Sequence, residues 1–197
     1  MKFIAHRINT VKELIQVPKK YGVEIDARDQ YNNIILNHDP FKEGENIDVF
    51  LQNFQHNTLI INIKSEGIEY RIIEILNKYK INNYFFLDSS FPMIYKLSKK
   101  GIRNFALRLS EFENISDTFK FKRLVDWIWV DCFTKWSLPY KEYTSLSDLK
   151  YKICLVSPDL LGRELDISEY KRIVKKENIS PSAICTKMQN IKKWLEN

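Results

Sequence analysis

The amino-acid sequence predicts an α/β fold built as a compact barrel of eight parallel strands, each followed by a helix or a shortened connection. Three observations predict it. Short apolar runs rich in Ile, Val, Phe, Tyr and Trp recur along the chain, and most are separated by segments whose apolar residues repeat at helical spacing, the pattern of βα units. With 197 residues, 44% of them hydrophobic, the chain can bury one substantial core but is short for two ordinary domains. A (β/α)₈ TIM barrel over residues 1–197, as a single domain, is the expectation.

Taken in order, the expected strands are 2–6, 23–28, 59–64, 84–88, 104–108, 127–131, 152–156 and 183–187. Helices are expected over 10–21, 68–79, 92–99, 168–177 and 189–195, with Ser90 placed as a cap before Pro92 and Gly101 as a stop signal. An extra strand over 32–39 should return along the second barrel strand, because Tyr31-Asn32-Asn33 is turn chemistry. A (β/α)₈ barrel commonly takes about 250 residues, so segments 110–124 and 132–150 are read as irregular connections in place of full helices. An open, doubly wound sheet is the rival architecture. Its glycine-rich phosphate turn is missing, since Arg7-Ile8-Asn9 follows the first strand.

Composition narrows the function classes. The net charge of +6 is spread along the chain, and the cluster Lys171, Arg172, Lys175 and Lys176 reads as the solvated face of a helix. No nucleic-acid partner is expected. Cys132, Cys154 and Cys185 lie in apolar runs without metal-ligand spacing, so they read as reduced core residues. The apolar run at the N-terminus is too short for a signal peptide, and no stretch approaches a membrane span. The expectation is a cytoplasmic protein without stable membrane insertion, and the lack of an apolar surface-seeking segment argues against an embedded lipid substrate.

Polar residues inside buried parallel strands break the apolar rule and carry the chemistry. Alternation puts Glu24 and Asp26 on one face, Asn62 and Lys64 on one face, and Trp129 and Asp131 on one face, each pair near the carboxyl end of its strand. His6, Asp88, Arg108 and Lys187 hold the last positions of four other expected strands. Such ends converge on one rim in a barrel. Two carboxylates and an amide oxygen suit Mg²⁺ or Ca²⁺, Lys and Arg complement phosphate oxygens, and two histidines can serve as general acid and base. Trp129 reads either as barrel filling or as a substrate wall, and Arg163 in the loop 157–163 either as an anion ligand or as a surface arginine. His56 is expected on a surface loop.

The ordered series His6-Arg7, Glu24-Ile25-Asp26, His38-Asp39 and Asn62-Ile63-Lys64 resembles the motif series of the glycerophosphodiester phosphodiesterase family, a branch of the phospholipase-C-like phosphodiesterases. The resemblance implies His6 and His38 as the acid–base couple and Glu24, Asp26 and Asn62 as holders of a divalent cation. Arg7, Lys64, Arg108, Trp129, Asp131, Arg163 and Lys187 are the expected substrate-side residues, and the partner is a small phosphodiester. Three departures stand out. Asn62 replaces a carboxylate, Ile8 replaces the glycine after His-Arg, and Asn9-Thr10 is all that remains of a Pro-Glu-Asn-Thr element. Asn62 and the shortened loop keep open an alternative, a catalytically weakened barrel that binds an anionic phosphate ligand.

Overall fold

A computed structural model describes residues 1–196. Eight parallel strands close on themselves: β1 (Lys2–Ala5), β2 (Gly22–Gln30), β5 (Leu59–Ile63), β6 (Tyr84–Leu87), β7 (Ala106–Leu109), β8 (Trp127–Val130), β9 (Lys152–Val156) and β10 (Ala183–Thr186), with β10 pairing β1. The weakest seam is β6 to β7, joined by a single bridge between Phe86 and Phe105 and by the Phe86 N–H donating to Asn104 O at 2.8 Å. The barrel is thus the expected (β/α)₈ architecture. Beyond it, β3 (Asn33–Leu36) and β4 (Glu45–Asn46) extend β2 antiparallel, which is the extra strand anticipated over 32–39.

Side-chain parity sorts the strands into two layers. Val23, Ile25, Ala27, Ile61, Ile63, Leu107 and Ile128 point outward into the core beneath the helices. Ile4, Ile60, Phe85, Leu87, Trp127, Trp129, Cys154 and Cys185 fill the barrel interior. The three cysteines are free and buried, as a reduced core requires. Phe85 stacks on Trp127 at 4.3 Å between ring centroids, which plugs the interior from below.

The helices are α1 (Val11–Gln16), α2 (Ile47–Gln52), α3 (Glu69–Lys78), α4 (Phe91–Ser98), α5 (Ile115–Lys120), α6 (Tyr140–Asp148), α7 (Ile167–Lys176) and α8 (Ile191–Leu195). Several expectations need correction. The helix expected over 10–21 stops at Gln16, because Pro18 disfavours helical backbone before it, although Thr10 and Glu13 form a full capping box at its start. Segments 110–124 and 132–150 hold α5 and α6, whose buried residues are only Thr118 and Leu146, too few to leave an apolar period in the sequence. The strand expected over 104–108 lies one to two residues later. No described helix is long and apolar enough to cross a membrane.

Candidate active site

Strands set the site by parity and by where they end. Glu24 and Asp26 share the inward face of β2, and Asn62 sits beside Asp26 in the register between β2 and β5. All three are buried, Glu24 at 0% exposure. Glu24 Oε1 accepts from Asn62 Nδ2 at 3.1 Å, and Glu24 Oε2 accepts from the Arg7 N–H at 2.7 Å. His6 Nε2 stands 3.7 Å from Glu24 Oε2. Asp26 Oδ2 accepts from Asn9 Nδ2 at 2.9 Å, while Arg7 Nε and Lys64 Nζ lie 3.7 and 3.5 Å from the same carboxylate, beyond tight hydrogen bonding.

Arg7 reaches this position through left-handed backbone, φ 57°, uncommon for a residue with a side chain. That turn aims its N–H at Glu24 and its guanidinium at Asp26. Asp88, with φ 60°, makes a second such turn at the end of β6, and its carboxylate meets Arg108 and, at 3.9 Å, Lys64. An alternating chain of charge, Arg7, Asp26, Lys64, Asp88, Arg108 and Asp131, therefore runs around the mouth.

Burial decides the protonation states. It pushes the Glu24 carboxyl up to about 7, with the neighbouring Asp26 charge adding to the effect. Burial, helped by Arg7, lowers His6 to about 4, so its imidazole is neutral at neutral pH.

His38 lies on the same edge of β2 as His6. Ala27 pairs with Ile63 of β5 on one side and Leu36 of β3 on the other, so β3 shares the edge used by β1. The Asn37 N–H donates to Asp26 O at 3.0 Å on that edge. The His38 ring itself is 42% exposed and bonds through Nδ1 to Asp39 at 2.9 Å.

The remaining expected residues divide. Trp129 is buried inside the barrel and donates Nε1–H to Asp131 at 3.1 Å. Asp131 and Asp88 both bind Arg108, and Glu113 lies 3.8 Å from it, so this guanidinium is committed to protein carboxylates. Arg163 bonds to Asp166, to Tyr170 of α7 and to the Cys132 carbonyl, which makes it a brace between the β8 and β9 connections. Lys187 follows β10, and its N–H donates to Asp159 at 3.0 Å. His56, expected on the surface, is partly buried, with Nε2 2.8 Å from Val17 O at the opposite end of the barrel.

Three residues that the sequence reading did not assign also shape the mouth. Asn9 grips Asp26 twice, through Nδ2 and through Oδ1, which accepts from the Asp26 N–H at 2.8 Å. Asp159, fully buried, accepts from Thr186, Asn190 and the Lys187 backbone, pinning the end of β10. Glu111 accepts from the N–H groups of Phe133, Thr134 and Lys135. Desolvation works against its charge, but these donors outweigh it and hold its carboxyl below the usual range. Asn9 had a sequence signal as part of the Asn9-Thr10 remnant, while Asp159 and Glu111 lie in connections shortly after β9 and β7 with no periodicity to mark them.

The donor set fits a hard divalent cation. Asn62 Oδ1 is buried with no hydrogen-bond partner, in a residue that adjoins two carboxylates, one of them held up in pKa by burial and by the charge of the other. Among the described residues no group of three or more His, Cys, Asp or Glu side chains is placed to hold a metal ion.

No family model matches the sequence, and no curated protein matches it. Solved structures do. A crystal structure from Agrobacterium tumefaciens assigned as a glycerophosphoryl diester phosphodiesterase superposes with a TM-score of 0.71 at 11% identity, covering 99% of this chain and 97% of that one. A glycerophosphoryl diester phosphodiesterase from Parabacteroides distasonis gives 0.65 at 11% identity, over 98% and 85%. A glycerol uptake operon antiterminator-related protein from Thermotoga maritima gives 0.59 at 16% identity, over 99% and 98%. The class defined is an α/β barrel protein. Within it, the chain shares the fold of the glycerophosphodiester phosphodiesterases over nearly its whole length.

Proposed function

We propose that this chain is a metal-dependent phosphodiester hydrolase acting on a glycerophosphodiester or a related soluble phosphodiester, including phosphodiester-bearing sugars. One observation carries the reading: Glu24 and Asp26 are buried together inside the barrel mouth beside Asn62, whose Nδ2 donates to Glu24 and whose Oδ1 is buried without a partner. Two adjacent buried carboxylates, one of them (Glu24) without a lysine or arginine partner, and a spare neutral oxygen are donors of the kind Mg²⁺ or Ca²⁺ takes.

Glu24, Asp26 and Asn62 would hold the cation, which when bound supplies charge against a phosphate oxygen and lowers the pKa of an adjacent hydroxyl. The chain's own groups do the rest. His6, neutral because it is buried, accepts a proton from the attacking substrate hydroxyl, which displaces the alcohol to give a cyclic phosphodiester that water then opens. Arg7 and Lys64, held loosely by Asp26, are the cations free to turn toward phosphoryl oxygens. Arg108, saturated by carboxylates, orders the mouth instead. His38, with Asp39 on Nδ1, offers Nε2 to the leaving alcohol. Trp129, Asp131 and Lys187 shape the walls around these groups.

Purified chain is assayed on a panel of phosphodiesters with Mg²⁺ or Ca²⁺, with chelator, and as His6→Ala. Hydrolysis that chelator abolishes and His6→Ala depresses supports the reading. Turnover indifferent to chelator, or unchanged in His6→Ala, sinks it. A second reading is a barrel that binds an anionic phosphate ligand without turnover. It is favoured by Asn62, which brings no charge to the cation, and it predicts phosphodiester or phosphate binding without hydrolysis across the panel.

A further inference from the structure

The end of the barrel opposite the mouth carries a one-sided charge. Lys80 follows α3, and Lys99, Lys100 and Arg103 follow α4. Lys122 and Arg123 follow α5, and Lys150 follows α6. All are exposed, and the strands they lead into, β6, β7, β8 and β9, are consecutive neighbours in the barrel. The cations therefore form one continuous arc. The only acidic residue in these four connections is Asp126, paired with Arg103 at 2.7 Å. Among the described residues, no carboxylate pairs with Lys80, Lys99, Lys100, Lys122, Arg123 or Lys150.

Cations near helix C-termini are favoured by the helix dipole, which could account for some of this excess. Backbone conformation shows where that account stops. Four helices end in the same turn, in which a left-handed residue is followed by an N–H that reaches back five residues: Ile102 to Leu97 O, Ile81 to Leu76 O, Tyr151 to Leu146 O and Ile179 to Val174 O. This position favours glycine. After α4 it is Gly101, φ 84°, but after α3 it is Lys80, φ 56°, and after α6 it is Lys150, φ 67°. Arg123, φ 66°, is left-handed in the turn after α5. A dipole is satisfied by a cation anywhere in the last turn. Holding cations at the position where a side chain is strained points to use of the charge itself.

We propose that this rim is a docking surface for an anionic membrane, met through electrostatics alone, with the mouth at the other end turned toward water. Three features favour a bilayer over a nucleic acid. The arc is spread across one end of a closed barrel, so it matches a plane of charge, whereas a duplex would touch a strip. Six of its cations carry no carboxylate partner, although Lys99 and Lys100 lie over the Tyr95 and Tyr70 rings, and most are lysines, point charges without a planar fork for phosphates or bases. No large apolar or aromatic side chain in these four connections is exposed, so nothing offers stacking to a base or insertion into acyl chains. A juxtamembrane set of this size is the kind that anionic leaflets attract.

The test is cosedimentation of the full chain with phosphatidylcholine vesicles, with and without about 30% phosphatidylserine. Binding is expected only to the anionic vesicles and is lost in about 0.5 M salt. K80Q/K99Q/K100Q/K150Q should lower the partition coefficient by about 100-fold or more, from roughly five-fold per cation. A control of equal charge change on other faces, K12Q/K171Q/R172Q/K192Q, should lower it far less. K80G/K150G should weaken binding while raising Tm by about 2–4 °C per site, which separates lost charge from damaged folding. The proposal is overturned by absence of binding to anionic vesicles at low salt, or by equal losses in the rim and control variants. It is also overturned if F112S/L165S at the mouth abolishes binding while the rim variant retains it, or if phosphate-matched RNA binds more tightly than the vesicles.

Discussion

The two ends of the barrel treat charge in opposite ways. At the mouth, Arg7, Lys64 and Arg108 each face a carboxylate, and two of the three acids they face, Asp26 and Asp131, are buried. At the far rim, lysines stand in solvent with no carboxylate partner among the described residues. The difference follows from dielectric. A charge taken out of water must be paired or hydrogen-bonded, so sign alternates wherever side chains enter the barrel, while exposed charges of one sign can accumulate at little cost. Alternation at the mouth leaves one carboxyl outside it, Glu24, which is buried beside Asp26 with no lysine or arginine of its own. At the rim the imbalance is the whole surface, and it invites a partner of matching extent.

The sharpest way to break this contrast is at His6. His6→Ala should lower turnover on a phosphodiester by about 10² to 10⁴, while K99Q/K100Q at the far rim leaves turnover unchanged, both read by steady-state kinetics. Equal losses in the two would mean that the ends are not functionally separate. Next comes Gly22, at the rim-side start of β2, where an added Cβ would lie 2.6 Å from Thr58 O. Gly22→Ala should destabilise by about 1–3 kcal/mol in denaturant unfolding, since backbone there cannot give way.

Asn62→Asp restores a third carboxylate at the mouth and should tighten Ca²⁺ binding about ten-fold by calorimetry. The same titration in the unaltered chain sharpens the account of Glu24. Its folded pKa is raised to about 7, so below that pH a proton must leave before a cation binds. Affinity should climb by up to about ten-fold per pH unit between pH 5 and 7 and level off above, and a flat profile would contradict the buried-pair picture. The smallest effect is expected at Glu111. Removing its acceptor with Glu111→Ala frees three backbone N–H groups of the β8 connection and should cost about 1 kcal/mol, discounted for exposure, in thermal unfolding.

Much of the site was legible in the sequence because strand alternation is strict. Period-two spacing puts Glu24 and Asp26 on one face and Asn62 and Lys64 on one face, and the two layers of the structure follow that parity, while strand pairing makes both faces the interior. Barrel strands were legible for the same reason, since buried parallel strands read as apolar runs. The short helices α5 and α6 were not, since one buried residue each leaves no period to detect. Arg163 was misplaced because a loop arginine has no periodicity to say which way it points, and Tyr170 and Asp166, its partners, are defined only once α7 packs.

The sequence by itself determined which side chains enter the barrel, because two residues per repeat is a property of the strand backbone. Which charges neutralise one another was decided by the tertiary structure. Asp88 takes Arg108 out of phosphate reach, Asn9 clamps Asp26, and four connections distant in sequence become one cationic arc, because closing the barrel sets neighbours that no local spacing specifies.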